Sequence, residues 1–167
     1  MAQTSFPLGW THNPSTWPRR FPALCLSLLG CAIATYLTLY QVDVVSTVWE
    51  PFFGNGSHMI LKESALARHL PVPDASLGAL AYLLDVILDC LGGETRWRTA
   101  PWIVLALGLV SGALGVTGIL LAASQPLIFG HYCTLCLASA VCSILTALAV
   151  ADEVRAAVRH LRDEPKA

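Results

Sequence analysis

The residues with chemical spacing in this chain are Cys133 and Cys136, in the run Cys133-Thr134-Leu135-Cys136. In a helix, residues three apart share a face, so the two sulfurs can meet with their Cα atoms in disulfide range. The run opens a long apolar segment. At the start of such a helix, unpaired N–H groups and the positive end of the dipole favour a thiolate. A thiolate that attacks and a partner that resolves it are the minimum for dithiol redox chemistry. Two other readings stay open. One is half of a zinc site, completed by His131 and a loop His58 or His69, although a closed zinc site usually shows two ligand pairs. The other is a pair of unreactive buried cysteines. Cys25, Cys31, Cys90 and Cys142 have no such spacing and read as small apolar side chains.

The elements that would position this pair are membrane spans. Of the 167 residues, 55% are apolar and 13% charged, against a usual charged share of about 25%. A soluble domain of this length cannot bury that much apolar side chain, so the excess must face lipid or a partner. The net charge of -1, with no Lys/Arg cluster, argues against nucleic acid. The first 20 residues are polar and broken by Pro7, Pro14 and Pro18, which is not the pattern of a secretory signal. A span needs about 20 mostly apolar residues. Candidates run over 21–40, 76–91, 101–123 and 132–150. The second is short and carries Asp85 and Asp89. An intramembrane Asp85 is a candidate functional residue by default, and the preferred reading puts both near the cytoplasmic headgroups with no special role.

The expected fold is therefore an all-α membrane protein. It is a four-transmembrane-helix bundle over 21–150, with tails at 1–20 and 151–167. Arg19 and Arg20 precede the first span, Arg96 and Arg98 join the second to the third, and Arg155, Arg159, Arg162 and Lys166 follow the fourth. The positive-inside tendency puts all three regions, and both termini, in the cytoplasm. The dithiol then faces the other side, where disulfides persist. So does the loop from Gln41 to Pro73. Within it, His58 to Leu70 reads as a short amphipathic helix, lying flat in the interface or covering the helix ends. Pro101 suits a first helical turn, and Gly108 with Gly112 forms a small-xxx-small packing pair.

Three segments, in order and spacing, resemble the vitamin K epoxide reductase family, including its bacterial disulfide-forming branch. They are Trp49-Glu50-Pro51-Phe52-Phe53-Gly54-Asn55-Gly56-Ser57, then Leu70-Pro71-Val72-Pro73-Asp74-Ala75-Ser76-Leu77-Gly78 with Tyr82, and Cys133-Thr134-Leu135-Cys136. The resemblance implies a four-helix bundle in which a CxxC begins the last span beside a bound quinone. Cys136 would be the thiolate that meets the quinone, of ubiquinone or menaquinone type, and Cys133 its disulfide partner. Asp74, Ser76 and Tyr82 would supply polar contacts. The setting it implies is a bacterial inner membrane, with a thioredoxin-like periplasmic protein as thiol partner. Electrons normally arrive through a second cysteine pair in the outer loop, but here Trp49 and Ser57 stand at those positions. Ala140 stands where some animal members have a tyrosine, and Asp74 where they have an asparagine. Two functions follow: a membrane thiol–quinone oxidoreductase with one cysteine pair, or a non-catalytic membrane module with a structural Cys133–Cys136 bridge.

Overall fold

A computed structural model describes residues 10–63 and 73–163, and every regular element among them is helical. The helices are α1 (Trp17–Gln41), α2 (Gly56–His58), α3 (Asp74–Cys90), α4 (Arg96–Thr99), α5 (Pro101–Ser124) and α6 (Thr134–Asp163). The four long ones form a ring in which α6 packs on α5 and α1, and α3 packs on α1 and α5. Three of them, α1, α6 and α5 with its C-terminal extension, are long and apolar enough to cross a membrane. Helix α3 has 17 residues, about 25 Å of helix at 1.5 Å per residue, which is short of a hydrocarbon layer of about 30 Å.

The boundaries follow local chemistry. α5 begins on Pro101, whose missing N–H falls where no helical partner exists. It does not stop at the expected link. It continues as a π-helical turn over Gln125–Phe129 and ends at Gly130, whose φ of 64° suits glycine. α6 runs past Val150 without a break to Asp163. The chain between α1 and α3 is only partly the amphipathic helix expected for His58–Leu70. One α-turn, Gly56–His58, passes into a π-helical turn at Met59–Glu63, and residues 64–70 lie outside the described residues. Leu61 is buried against Leu37 and Tyr40, so this segment covers the bundle's end. The glycine pair also differs from expectation. A Cβ at Gly108 would meet Val154 Cγ2 at 2.5 Å, whereas Gly112 faces open space.

Leucine, valine and isoleucine cover the outside, among them Leu28, Leu109, Val116, Leu120 and Leu148. The inside is unexpectedly polar. Asp85 is 1% exposed and accepts hydrogen bonds from Ser27 Oγ on α1 at 2.8 Å and Ser111 Oγ on α5 at 2.6 Å. One turn on, Asp89 shares Arg96 with Glu153. Arg96 Nη2 lies 3.1 Å from Asp89 Oδ1, and its Nε and Nη2 lie 2.6 and 2.7 Å from the two Glu153 oxygens. Arg96 Nη1 donates to the carbonyls of Leu88, Asp89 and Leu91. These carboxylates are therefore not without a role. They turn inward, because buried charge is tolerable only with a partner, and the partners stand on other helices.

Candidate functional site

The chain reverses at Gly130 and enters α6 through Cys133, which serves as the cap residue. Leu137 N–H donates to Cys133 O at 3.0 Å. Cys136 N–H, in the first turn, points at Cys133 Sγ at 3.2 Å. The helix thus begins one residue later than a shared-face arrangement assumes, and the first sulfur sits at its positive end. The two sulfurs are joined as a disulfide with Cα atoms 5.2 Å apart. Cys133 N–H donates to Oε1 of the buried Gln125 at 3.0 Å, which fixes the turn to the end of α5. Cys133 is fully buried, while Cys136 is partly exposed toward the bundle interior.

The outer loop seals Cys133. Glu50 accepts Thr134 N–H at 3.0 Å, and it also holds the hydroxyls of Thr134 and Ser57. Burial pushes the Glu50 carboxyl up, but these bonds, with one from the Phe53 backbone, outweigh it and hold the carboxyl below its usual range. Gly56 lies so close to Tyr132 O that any Cβ there would stand 2.0 Å from it. The Phe53 and Tyr132 rings are 5.1 Å apart. Ser57 is thus buried beside the CxxC, whereas the Trp49 side chain is 63% exposed. Neither Glu50 nor Gln125 is conspicuous in the sequence, since each gains its role only from contact with a distant segment.

Below the disulfide lies an apolar cavity of about 110 Å³. Cys136, Ser139 and Ala140 of α6 form one wall, Thr117 and Gly118 of α5 another, and Asp74 and Tyr82 of α3 a third. A dry cavity of about 150 Å³ accepts a benzene ring, so this space is of the order of one ring. A groove of about 520 Å³ between α3 and α5 shares Asp74, Gly78, Leu114, Thr117 and Leu121 with it. That groove extends to the exposed Leu84 and Leu109, on the outward face of the bundle.

The three residues expected to make polar contacts separate here. Tyr82 lines the cavity, and its hydroxyl donates to Ser139 O at 2.6 Å. Its ring lies on Gly30, where a Cβ would come within 2.4 Å of it. Asp74 also lines the cavity, but its Oδ1 is engaged by Gln41 Nε2 and by Ala75 N–H. Ser76 does not line it; its hydroxyl turns back to Pro73 O at 2.6 Å and stabilises the first turn of α3. Ser139 and Thr117 take up the wall instead. Ser139 follows Cys136 by three residues, which is the helical spacing that would have flagged it. Among the described residues, no group of three or more His, Cys, Asp or Glu side chains is placed to hold a metal ion, and His69 lies outside them.

Membrane-type helices that enclose an apolar cavity, with one sulfur of a CxxC at its wall, define a helical membrane dithiol protein. The sequence model of the vitamin K epoxide reductase family matches residues 21–151, most of the chain, and the chain belongs to that family. Membrane redox chemistry is the activity class this membership supports, since members of the family are typically oxidoreductases. No curated protein and no solved structure matches the chain.

Proposed function

We propose that this protein is a membrane thiol–disulfide oxidoreductase that passes electrons from a reduced Cys133/Cys136 pair to a quinone held in the cavity. The observation that carries this reading is the asymmetry of the disulfide. Cys136 stands at the wall of an apolar, ring-sized cavity, and Cys133 is packed beneath the outer loop.

The steps follow from that asymmetry. When the loop clasped by Glu50 opens, a thiolate of an external dithiol protein, of thioredoxin-like type, attacks Cys133 Sγ and displaces Cys136 as a thiolate. The displaced Cys136 thiolate is left at the wall of the cavity. The donor's second thiol then releases Cys133 and leaves the chain's dithiol reduced. Re-forming the Cys133–Cys136 bond gives up two electrons and two protons, which convert the quinone to the quinol. The cavity walls fit such a group. They are mostly apolar, the hydroxyls of Thr117 and Ser139 supply donors, and the groove between α3 and α5 gives access from lipid.

The proposal includes four spans over 21–150, with α3 as the second, in a bacterial inner membrane. Both tails would be cytoplasmic and the dithiol periplasmic. Reporter fusions after Leu91 and Ala167 should both read cytoplasm. The burial of Cys133 favours a second reading, a structural disulfide in a non-catalytic module. Mass-tagging of free thiols in proteoliposomes separates the two. Redox cycling of Cys133 and Cys136 on adding a short-chain ubiquinone or menaquinone supports the oxidoreductase. A bridge that stays oxidised with every mild reductant and never responds to either quinone overturns it.

A further inference from the structure

At the end of the bundle opposite the dithiol, a cavity of about 360 Å³ opens beside the start of α1 and the second half of α6. Its floor holds Arg20, Asp89 and Glu153, and its mouth holds Arg19 and Asp152. The floor belongs to a buried quartet, Arg20, Arg96, Asp89 and Glu153, whose two cations and two anions balance. The quartet is incompletely bonded. Arg20 Nε and Asp89 Oδ1 are 3.7 Å apart, too far for a hydrogen bond. Arg20 Nε and Asp89 Oδ2 make no hydrogen bond among the described residues, although Arg20 is 2% and Asp89 3% exposed. A buried donor and a buried acceptor left side by side are each costly. Every other polar group of that Arg20 is engaged: its terminal nitrogens reach Gly92 O and Leu91 O, and the guanidinium lies 4.3 Å from the Trp17 ring centre.

We propose that this cavity binds the headgroup of a phosphatidylethanolamine lipid. The unmet donor, Arg20 Nε, takes a phosphate oxygen, and the unmet acceptor, Asp89 Oδ2, takes an ammonium N–H. The mouth adds exposed Arg19 for the phosphate and half-exposed Asp152, whose Oδ1 already accepts from Arg155 Nη1 at 2.8 Å and whose other oxygen faces the ammonium. The floor, two cations against two anions, suits a ligand of zero net charge rather than an anionic lipid. The hydrogen-bonding acceptor at Asp89 selects a primary ammonium over a trimethylammonium, which has no N–H to give. Depth agrees as well. Trp17 and Trp102, 47% and 66% exposed, mark the interfacial belt at this end, and Pro18, Pro22, Leu148 and Ala149 give the cavity an apolar flank for the glycerol and upper chains.

The test uses the full chain in detergent, offered equimolar phosphatidylethanolamine, its N,N-dimethyl derivative, phosphatidylcholine and phosphatidylglycerol, with retention read by native mass spectrometry. Retention should fall in that order along the methylation series, with phosphatidylethanolamine held about tenfold over phosphatidylcholine, the scale of one charge-assisted hydrogen bond. The Arg19→Ala, Asp152→Asn double variant changes only mouth residues and should reduce that ratio toward one. Equal retention of all four lipids, which leaves water as the only filling, overturns the proposal. Preference for phosphatidylglycerol overturns it too. The series on the unaltered chain decides the matter even if the double variant fails to fold.

Discussion

Glu50 should control how readily Cys133 is reached. In the sealed loop its carboxylate accepts from Thr134 N–H, the Thr134 hydroxyl and the Ser57 hydroxyl. Glu50→Gln keeps one acceptor oxygen but turns an amide donor toward groups that themselves donate. At least one bond is lost, and the others lose charge assistance. Hydrogen bonds to charged groups contribute about 1.5–3 kcal/mol and neutral ones about 0.5–1.5. Allowing for the partial exposure of Glu50, the sealed loop should weaken by about 1.4 kcal/mol, so opening rises about tenfold. The assay is the rate at which an uncharged phosphine reduces Cys133–Cys136 in detergent-solubilised protein, because a neutral reductant is indifferent to the lost charge. Ser57→Ala keeps the charge and removes one bond, for a rise of about fivefold from roughly 1 kcal/mol. The expected order is Glu50→Gln, then Ser57→Ala, then the unaltered chain. The pH dependence has a definite sign. The sealed-state carboxyl titrates below its ordinary value of about 4.3. Its contribution is therefore complete above that value and lost as pH falls through the lower one. The ratio of the Glu50→Gln rate to the unaltered rate should then shrink toward one in acid. Equal rates for all three proteins at neutral pH, with unfolding temperatures unchanged, would refute the gating role.

Other outcomes follow from the same contacts. Cys136→Ser should abolish any quinone-linked oxidation, and mass-tagging should then find Cys133 reduced in the presence of quinone. Ala140→Phe should fill the cavity, lowering quinone turnover at least tenfold, while the disulfide still forms with a chemical oxidant; turnover kept at the original rate would place the quinone elsewhere. Glu153→Gln leaves the buried Arg96 without its closest anion, and breaking such a pair costs about 3–5 kcal/mol. The thermal unfolding midpoint should drop by several degrees, with redox cycling intact at low temperature.

Much of the architecture was legible because it is written in local pattern. Uncharged runs of helical length located α1, α5 and α6, and the CxxC stood where one of them begins. What could not be read was pairing across the bundle. Asp89 and Arg96 are close in sequence, but Glu153 joins them from 57 residues beyond Arg96, and nothing local marks it. Asp85 read as a headgroup carboxylate because its serine partners stand on two other helices. The site divided in the same way. Cys136 and Tyr82 were found from spacing and resemblance and reach one cavity. Glu50 was hidden, since an acid in an aromatic loop becomes a clasp only when the loop is folded over Thr134.

The same clasp makes position 57 informative about the missing relay. Ser57 stands at one of the two loop positions where the family resemblance implies a cysteine, and its hydroxyl shares Glu50 Oε2 with Thr134 N–H. A side chain there is two hydrogen bonds from the residue next to Cys133. Ser57→Cys in a Cys136→Ser background should therefore trap a 57–133 disulfide under mild oxidation, with a Cα separation of about 4.4–6.8 Å. The bond is read by peptide mass after alkylation of the free thiols. Placing the same cysteine at Trp49, whose side chain is largely exposed, should give no such bond to Cys133. A cross-link at neither position, in a protein that still melts normally, would mean that the loop does not rest on the CxxC, and the sealed Cys133 would have to be abandoned.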